Sequence, residues 1–315
     1  METIVATDPN TRPDGPTAVT IGAYDGVHLG HRAVLSTLQA LAAERGLRTV
    51  VVTFDRHPAS VVRPESAPLL LTDLDQKLEL LAECGVDYTF VIPFDAERAK
   101  ETAPDFITDV LVGRLDAKVV AVGDDFHFGH KRAGNVPLLA SMGSELGFDV
   151  MGHELVGLDG FAANEPVSST RIRRALRAGD LAAANAMLGR PHELRGIVGH
   201  GDGRARELGF RTANVAIPET MCLPDDGIYA GRYRTPDGVL RPCAISLGRR
   251  PTFYEFADTS LLEAHLIDFE GDLYGQPAQV QFIARLRDEL KFDSVDALIA
   301  QMAIDVDQCR QLLAD

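Results

Sequence analysis

The chain has 315 residues, of which 45% are hydrophobic and 24% are charged, and its formal net charge is −15. This length suffices for two domains, and the composition is that of a folded rather than a disordered protein. The strong negative charge argues against nucleic acids and anionic membranes as partners, because both would be repelled. No stretch is apolar enough to span a membrane, and the polar N-terminus lacks a secretion-signal pattern, so we expect a cytoplasmic protein. Its four cysteines show no C-x-x-C spacing, which predicts free thiols.

In the first half of the chain, short β-branched apolar runs alternate with segments of helical periodicity. This alternation predicts an α/β, Rossmann-like domain with a doubly wound parallel sheet. The predicted strands are residues 17–21, 49–54, 88–92, 119–122 and 148–151. The predicted helices that follow them include residues 73–84, 104–111 and 136–146. Ligands of such sheets bind beyond the carboxyl ends of the strands, where the sequence places the loops 22–31, 55–58 and 123–129.

The loop 22–31 reads Gly-Ala-Tyr-Asp-Gly-Val-His-Leu-Gly-His and ends in two histidines, His28 and His31, where an apolar strand passes into a helix. Backbone N–H groups and the helix dipole favour anions at such a position, and glycines let the main chain approach a ligand closely. Two imidazoles there can donate hydrogen bonds to a triphosphate as charge builds on its leaving oxygens. The pattern indicates nucleotidyl transfer, although an isolated His-x-x-His is more often a surface or metal-binding pair.

Three further segments carry residues of functional interest. They are Phe-Asp-Arg-His-Pro at 54–58, Gly-Asp-Asp-Phe-His-Phe-Gly at 123–129 and Ser-Ser-Thr-Arg-Ile-Arg at 168–173. Each has a structural explanation when it is taken alone. His57 can be purely structural. A turn whose aromatic side chains fold onto the core is the better explanation of 123–129 alone, and a solvated basic helix face is the better explanation of 168–173 alone. The first two segments share one predicted sheet edge with the loop 22–31, which favours a functional role for them.

Together with the 22–31 loop, these segments resemble the signatures of the flavin adenylyltransferase branch of the His-x-Gly-His nucleotidyltransferases. Tyr24 and Arg56 stand where that pattern has phenylalanine and proline. The resemblance implies that His28, His31 and Arg173 are catalytic and stabilise the departing pyrophosphate. It also implies contacts with ATP or its phosphates for Gly22, Asp25, Gly26, Gly30, Ser169 and Thr170. Finally, it implies flavin contacts for Phe54, Asp125, Phe126 and Phe128.

Helical periodicity stops at Gly189 and Pro191, and alternation with a period of two follows. We therefore predict an N-terminal domain of residues 1–187 and a C-terminal domain of residues 193–315. Short runs separated by turn residues predict an antiparallel β-barrel in the second domain, with strands near 228–233, 243–247, 262–267 and 279–286. A terminal helix capped by Ser294 carries apolar residues at helical spacing and is expected to pack against this barrel.

The second domain begins with a glycine-rich segment, 199–214, that ends in Thr212 and Asn214. Side-chain oxygens of this kind suit Mg²⁺, and glycine-rich turns can cradle phosphates, although the same composition is more often a hairpin loop. The segment resembles the riboflavin kinase signature G-R-x-x-G-F-P-T-A-N, with Ala205 and Arg211 where that pattern has glycine and proline. The resemblance implies Mg²⁺ contacts for Thr212 and Asn214. It implies ATP or phosphate contacts for Gly199, Gly201, Gly203, Arg206 and Gly209.

Glu263 lies among apolar residues on a predicted strand, where a carboxylate is costly unless it has a role. A kinase that acts on the ribityl 5′-hydroxyl benefits from a base that removes its proton, and Glu263 is our candidate. A cross-strand salt bridge is the alternative explanation. Adenylyl transfer needs no such base, because FMN attacks with a phosphate oxygen that is already ionised.

The resemblance extends over nearly the whole chain, which is identified as a member of the bifunctional bacterial riboflavin kinase and FAD synthetase family. Membership implies phosphorylation of riboflavin to FMN and adenylylation of FMN to FAD, with ATP as co-substrate, Mg²⁺ as cofactor and release of pyrophosphate. Two alternatives stay open at this point: a nucleotidyltransferase for another phosphorylated acceptor, and a flavin-binding protein whose kinase half has decayed at Ala205 and Arg211. A homo-oligomer is compatible with the sequence, which does not determine the oligomeric state.

Overall fold

The structure, a computed structural model, describes residues 1–8, 10–153, 157, 166–200, 210–249 and 260–314. The chain divides into two compact units, Met1–Ser169 and Thr170–Asp315. This division falls before the predicted boundary at residues 187–193. Residues 170–187 belong to the second unit, so their assignment to the N-terminal activity stays a prediction.

The first unit is built on a parallel six-stranded sheet, which confirms the predicted fold class. Its strands are β1 (Glu2–Val5), β2 (Thr17–Ile21), β3 (Arg48–Phe54), β4 (Tyr88–Ile92), β5 (Ala117–Gly123) and β8 (Asp149–His153). Their order across the sheet is β1-β4-β3-β2-β5-β8. Between β5 and β8, the strands β6 (His127–Phe128) and β7 (Gly134–Asn135) form a separate two-stranded sheet. Strands β2 and β4 are buried along their whole length, which explains their continuous apolar character.

Helices cross between these strands. They are α1 (Leu29–Arg45), α2 (Ala59–Val62), α3 (Leu74–Glu83), α4 (Ala103–Asp105) and α5 (Val136–Leu146), with 3₁₀ turns at Pro64–Ser66, Arg98–Lys100 and His130–Arg132. The helix predicted at 104–111 is instead the short α4 followed by a π-helix, Phe106–Arg114. The two kinds of helix place apolar residues too similarly over so short a run for the sequence to distinguish them.

Strand β1 was not predicted from the sequence. It pairs in parallel with β4 at the edge of the sheet, and Ile4 is its one buried residue. A strand with a single buried side chain has no alternation that a sequence pattern can reveal.

The second unit is a closed antiparallel barrel, as predicted. Its strands are β9 (His192–Gly199), β10 (Ala213–Ala216), β11 (Gly227–Arg234), β12 (Leu240–Arg249), β13 (Ser260–Leu266) and β14 (Pro277–Arg287). The barrel order is β10-β13-β12-β11-β14-β9. Strands β9 and β10 were missed. A Cβ at Gly196 of β9 would lie 2.2 Å from the carbonyl oxygen of Ala216, so this close approach requires the glycine that interrupts the sequence pattern.

The described part of this unit contains the helices α6 (Ser169–Arg177, whose first residue lies in the first unit), α7 (Leu181–Leu188) and α8 (Val295–Leu312). The amide Nδ2 of Asn185 on α7 donates to the carbonyl oxygen of Phe282 on β14, at 2.9 Å. The predicted cap of α8 is confirmed, because the Ser294 hydroxyl accepts from the N–H of Ala297. Among the described helices, none combines the length and apolar character needed to cross a membrane.

Two candidate active sites

Three loops of the first unit leave the same edge of the sheet. Strands β3, β2 and β5 are neighbours and run parallel, so the loops that follow them, 55–58, 22–31 and 123–129, begin side by side. The chain continues from β2 to β3 on one side of it and returns to β5 on the other side. At such a reversal of strand order, α/β sheets form a ligand crevice. The convergence predicted from the sequence is therefore present.

The two histidines lie at the start of α1, where they stack on each other. His28 is the N-cap of the helix, and its Nδ1 accepts the backbone N–H of His31 at 3.3 Å. The ring centroids are 3.6 Å apart, with 16° between the planes, and His28 is buried. Because Nδ1 accepts a hydrogen bond, the proton of a neutral His28 lies on Nε2, which is suited to donate to a nucleotide oxygen.

The loop before α1 is conformationally strained. Tyr24, Gly26 and Val27 have φ angles of 51°, 86° and 37°, and a β-branched residue such as Val27 seldom adopts a positive φ. The Tyr24 ring lies 4.8 Å from the His31 ring, and its hydroxyl is 2.8 Å from Oγ1 of Thr20. This buried hydrogen bond accounts for the tyrosine that replaces the phenylalanine of the family pattern. Strain of this kind is typical of functional sites.

Asp25 joins this loop to two other segments. Its carboxylate accepts the backbone N–H groups of Leu71 and Thr72, at 2.9 and 3.1 Å, while its carbonyl oxygen accepts the hydroxyl of Ser169 at 2.9 Å. A Cβ at Gly30 would lie 3.1 Å from the carbonyl oxygen of Val167. The end of the first unit therefore lies against the histidine loop. The observed contacts of Asp25 are structural, and its direct contact with phosphate stays a prediction.

The predicted flavin-binding aromatics lie at the same sheet edge, partly buried against the core. Phe126 and Phe128 stack with centroids 5.3 Å apart, and Phe54 meets Phe94 edge to face at 5.3 Å. These side chains pack against an apolar core cluster of the unit, whereas Asp125 is exposed. A core-packing role and a flavin contact are compatible for such rings, and the flavin contact stays a prediction.

Thr170 and Arg173 lie on α6 in the second unit, and Arg173 is buried there. Their contact with ATP phosphates stays a prediction.

The predicted phosphate loop begins at Gly199, the last residue of β9, where a Cβ would meet no atom within 4 Å. The other predicted residues of that loop, Gly201, Gly203, Arg206 and Gly209, and the departure at Ala205, lie outside the described residues.

In the barrel, Asn214 of β10 is the register partner of Glu263 of β13. On its other side Glu263 faces Ser246 of β12, so neither cross-strand neighbour is a cation. Glu263 lines a cavity of about 390 Å³, and Asn214 lines an adjacent cavity of about 770 Å³. Thr212 lines both. The predicted base and the predicted metal ligands are thus brought together where two cavities meet.

His265 is a site residue that the sequence analysis did not single out. It lies two residues after Glu263 on β13, lines the smaller cavity, and its Nδ1 is 2.8 Å from the carbonyl oxygen of Arg211. This contact requires Nδ1 to carry the proton, and it holds the chain beside Thr212. Arg211 itself lines the larger cavity, so the departure from proline places an arginine in its wall. The period of two along β13 could have revealed His265.

The donor set near Thr212 and Asn214 fits Mg²⁺. The hydroxyl and amide oxygens are hard ligands, and Mg²⁺ commonly keeps several waters and takes its remaining ligands from substrate phosphates. Among the residues that the structure describes, there is no cluster of three or more histidine, cysteine or acidic side chains that could hold a metal by itself.

A doubly wound sheet with paired histidines at its carboxyl edge, and a barrel with a carboxylate in the wall of a cavity, are the features of a transferase with two catalytic units. An FAD synthetase family model matches residues 10–171, and a riboflavin kinase family model matches residues 188–313. The chain belongs to the bifunctional riboflavin kinase/FMN adenylyltransferase family. It phosphorylates riboflavin to FMN and adenylylates FMN to FAD.

Individual relatives agree with this assignment. The bifunctional riboflavin kinase/FMN adenylyltransferase of Escherichia coli K12 is 41% identical over 93% of this chain and 91% of its own. The enzyme of that name from Haemophilus influenzae is 38% identical over 93% of both chains. A solved structure titled a macrolide-efflux protein, from Streptococcus pneumoniae, is 27% identical, covers 98% of this chain and 99% of its own, and superposes with a TM-score of 0.84.

Proposed function

We propose that the two reactions occur at two separate sites: phosphorylation of riboflavin in the barrel and adenylylation of FMN at the carboxyl edge of the parallel sheet. The observation that supports this most directly is the pairing of Asn214 with Glu263 on adjacent strands of the barrel. It supports a role of Glu263 as the base beside Asn214 as a magnesium ligand, a combination that a kinase needs and an adenylyltransferase does not.

In the barrel, the smaller cavity suits riboflavin and the larger one suits ATP. The smaller cavity has many apolar lining residues, including Phe210, Ile228 and Leu298, as an aromatic ring system requires. Glu263 in its wall would accept the proton of the ribityl 5′-hydroxyl as this oxygen attacks the γ-phosphate. Thr212, shared by both cavities, lies where the two substrates would meet.

Mg²⁺ would be held by the side-chain oxygens of Thr212 and Asn214. When bound, it would neutralise phosphate charge in a protein whose net charge of −15 otherwise repels ATP. Asn214 and Thr212 then orient the nucleotide toward Glu263, and Arg211 adds a fixed positive charge to the wall of the same cavity.

In the first unit, catalysis would consist of alignment and electrostatic stabilisation. The stacked His28 and His31 would donate hydrogen bonds to the phosphates of ATP, supported by the N-terminus of α1. The family resemblance also assigns Arg173 the role of a cation for the departing pyrophosphate. Phe54, Phe126 and Phe128 would form the apolar side of the FMN site.

A time course of riboflavin, FMN and FAD, separated by chromatography after incubation with Mg-ATP, tests this division. Glu263→Gln should abolish FMN formation and leave FAD formation from supplied FMN unchanged, because only the kinase step needs a base. His28→Ala with His31→Ala should do the reverse. Glu219→Gln, an exposed glutamate of the same unit, is the matched control and should leave both reactions intact.

Equal loss of both reactions in either variant would contradict two independent sites. A cytoplasmic location and the lack of nucleic-acid and membrane partners are part of the same proposal.

A further inference from the structure

Lys77, on α3, is a buried cation that the functional assignments above do not use. It is 7% exposed, and its ammonium donates to three oxygens: the carbonyl of Phe54 at 2.7 Å, the hydroxyl of Thr53 at 3.2 Å and the carbonyl of Ala23 at 3.3 Å. These acceptors match the three donors of an ammonium group. The lysine is therefore fully satisfied by atoms of other segments.

The acceptors belong to two of the loops at the sheet edge. Ala23 lies in the 22–31 loop that leads to the histidines, and Phe54 is the last residue of β3, directly before the loop 55–58. The hydroxyl of Thr53 also donates to the carbonyl oxygen of Ala23, at 3.2 Å. One ammonium thus connects the start of the ATP-binding loop to the start of the flavin-binding loop, and Thr53 completes the connection.

Keeping a charge at this position is costly. Burial lowers the pKa of Lys77 to about 8, although the carboxylates of Asp25 and Asp55 counteract this effect. A well-packed apolar side chain in place of a buried ion is often neutral or stabilising, so stability alone gives little reason for the lysine. A perturbed titratable group beside a ligand crevice is more typical of functional sites.

We propose that Lys77 is a positioning residue for adenylyl transfer, which holds the loops that carry ATP and FMN at the separation required for in-line attack. The inference rests on the proposed function of this sheet edge. Each loop contacts one substrate, so Lys77 sets the position of one substrate relative to the other rather than the affinity for either. Misplacement by about 1 Å of groups that align a reaction can cost on the order of a hundredfold in rate.

The test compares Lys77→Met and Lys77→Gln with Lys118→Met, an exposed lysine of the same unit. Lys77→Met should lower kcat for FAD formation from FMN by about tenfold to a hundredfold. The separate dissociation constants of ATP and FMN, measured by calorimetry, should change less than about threefold. Lys77→Gln keeps N–H donors without the charge and should recover part of the rate. Lys118→Met should behave as the wild type, and FMN formation from riboflavin should be unchanged throughout.

Full FAD synthesis by Lys77→Met would overturn the proposal. So would a loss of substrate affinity that accounts for the whole effect, because it would indicate local unfolding instead of misalignment. If hydrogen exchange in β2 and β3 shows that Lys77→Met does not fold, Lys77→Gln is used instead. Its kcat for FAD formation is then compared with its dissociation constants for ATP and FMN. If both Lys77→Met and the histidine variants form FAD normally, the proposed adenylylation site itself is wrong. If the histidine variants are inactive and Lys77→Met is fully active, only the proposed role of Lys77 is wrong.

Discussion

Arg287 at the end of β14 and Asp305 on α8 form a two-point ion pair. Nε and Nη2 of the arginine donate to the two carboxylate oxygens at 2.9 and 2.6 Å, and Asp305 is buried. Gln301 donates to the same carboxylate at 2.9 Å. Both members of the pair line the smaller cavity, so the terminal helix is attached to the barrel at the wall of the proposed riboflavin site.

Removing the charge of this pair should loosen α8. We expect Asp305→Asn to lower the opening free energy of α8 amides by about 3 kcal/mol, since a largely buried guanidinium would lose its counter-ion. Hydrogen exchange measures this change, and the KM for riboflavin should rise with it. Asp307→Asn breaks an exposed ion pair of the same helix with Arg310 and should leave both quantities unchanged. Equal effects of the two variants would show that the buried pair has no special role.

Asn214 should determine the magnesium requirement of the kinase reaction. Asn214→Ala removes one side-chain oxygen, so the Mg²⁺ concentration that gives half-maximal FMN formation should rise by roughly tenfold or more. Adenylylation of supplied FMN by the same protein is the internal control and should keep its Mg²⁺ dependence. An unchanged Mg²⁺ titration of FMN formation would remove Asn214 from the proposed ligands.

The buried hydrogen bond between Thr20 and Tyr24 should show strong coupling in a double-mutant cycle. Thr20→Val leaves the tyrosine hydroxyl without this partner and should cost about 1–3 kcal/mol of local stability. The double variant with Tyr24→Phe should cost less than the sum of the single variants, by about 1 kcal/mol, because no polar group is then left unsatisfied. Hydrogen exchange of β2 amides gives these values. Additive effects would mean that the hydrogen bond contributes nothing.

The stability difference between wild type and Lys77→Met should depend on pH. The folded state releases the Lys77 proton at about pH 8, because burial lowers its pKa, whereas the unfolded chain keeps it to about pH 10.4. Between these values the unfolded state binds more protons, so the wild type should gain stability over the variant by up to about 1.4 kcal/mol per pH unit. Urea unfolding of both proteins from pH 7 to 10 measures the difference. A constant difference would contradict the lowered pKa.

Much of the fold could be predicted because it depends on local patterns. The strands Thr17–Ile21 and Tyr88–Ile92 and the helix Val136–Leu146 were predicted at their observed bounds, since continuous burial or a clear helical period is visible in the residues themselves. Strands β1 and β10 were not predicted: β1 has one buried side chain, and β10 lies at the end of a glycine-rich motif. Their pairing depends on partners far away in the chain.

The candidate sites also combine residues that local sequence patterns reveal with residues that only distant contacts bring into place. The motifs around His28, Thr212 and Glu263 could be read from residue types and spacing, because the chemistry of phosphate transfer restricts which side chains can serve. Lys77 and the ion pair of Arg287 with Asp305 carried no such signal. Each acts through partners that are distant in sequence.

The amino-acid sequence by itself determined the class of fold in each half of the chain and the family, and it supplied the residues of both proposed sites. Periodicity and side-chain chemistry are local properties, which is why they can be read in this way. Only the tertiary structure decided that Asn214 faces Glu263, that His28 caps its helix through Nδ1, and that Lys77 joins two loops. Strand register and burial arise from contacts between segments that are distant in the chain, and local sequence patterns do not reveal such contacts.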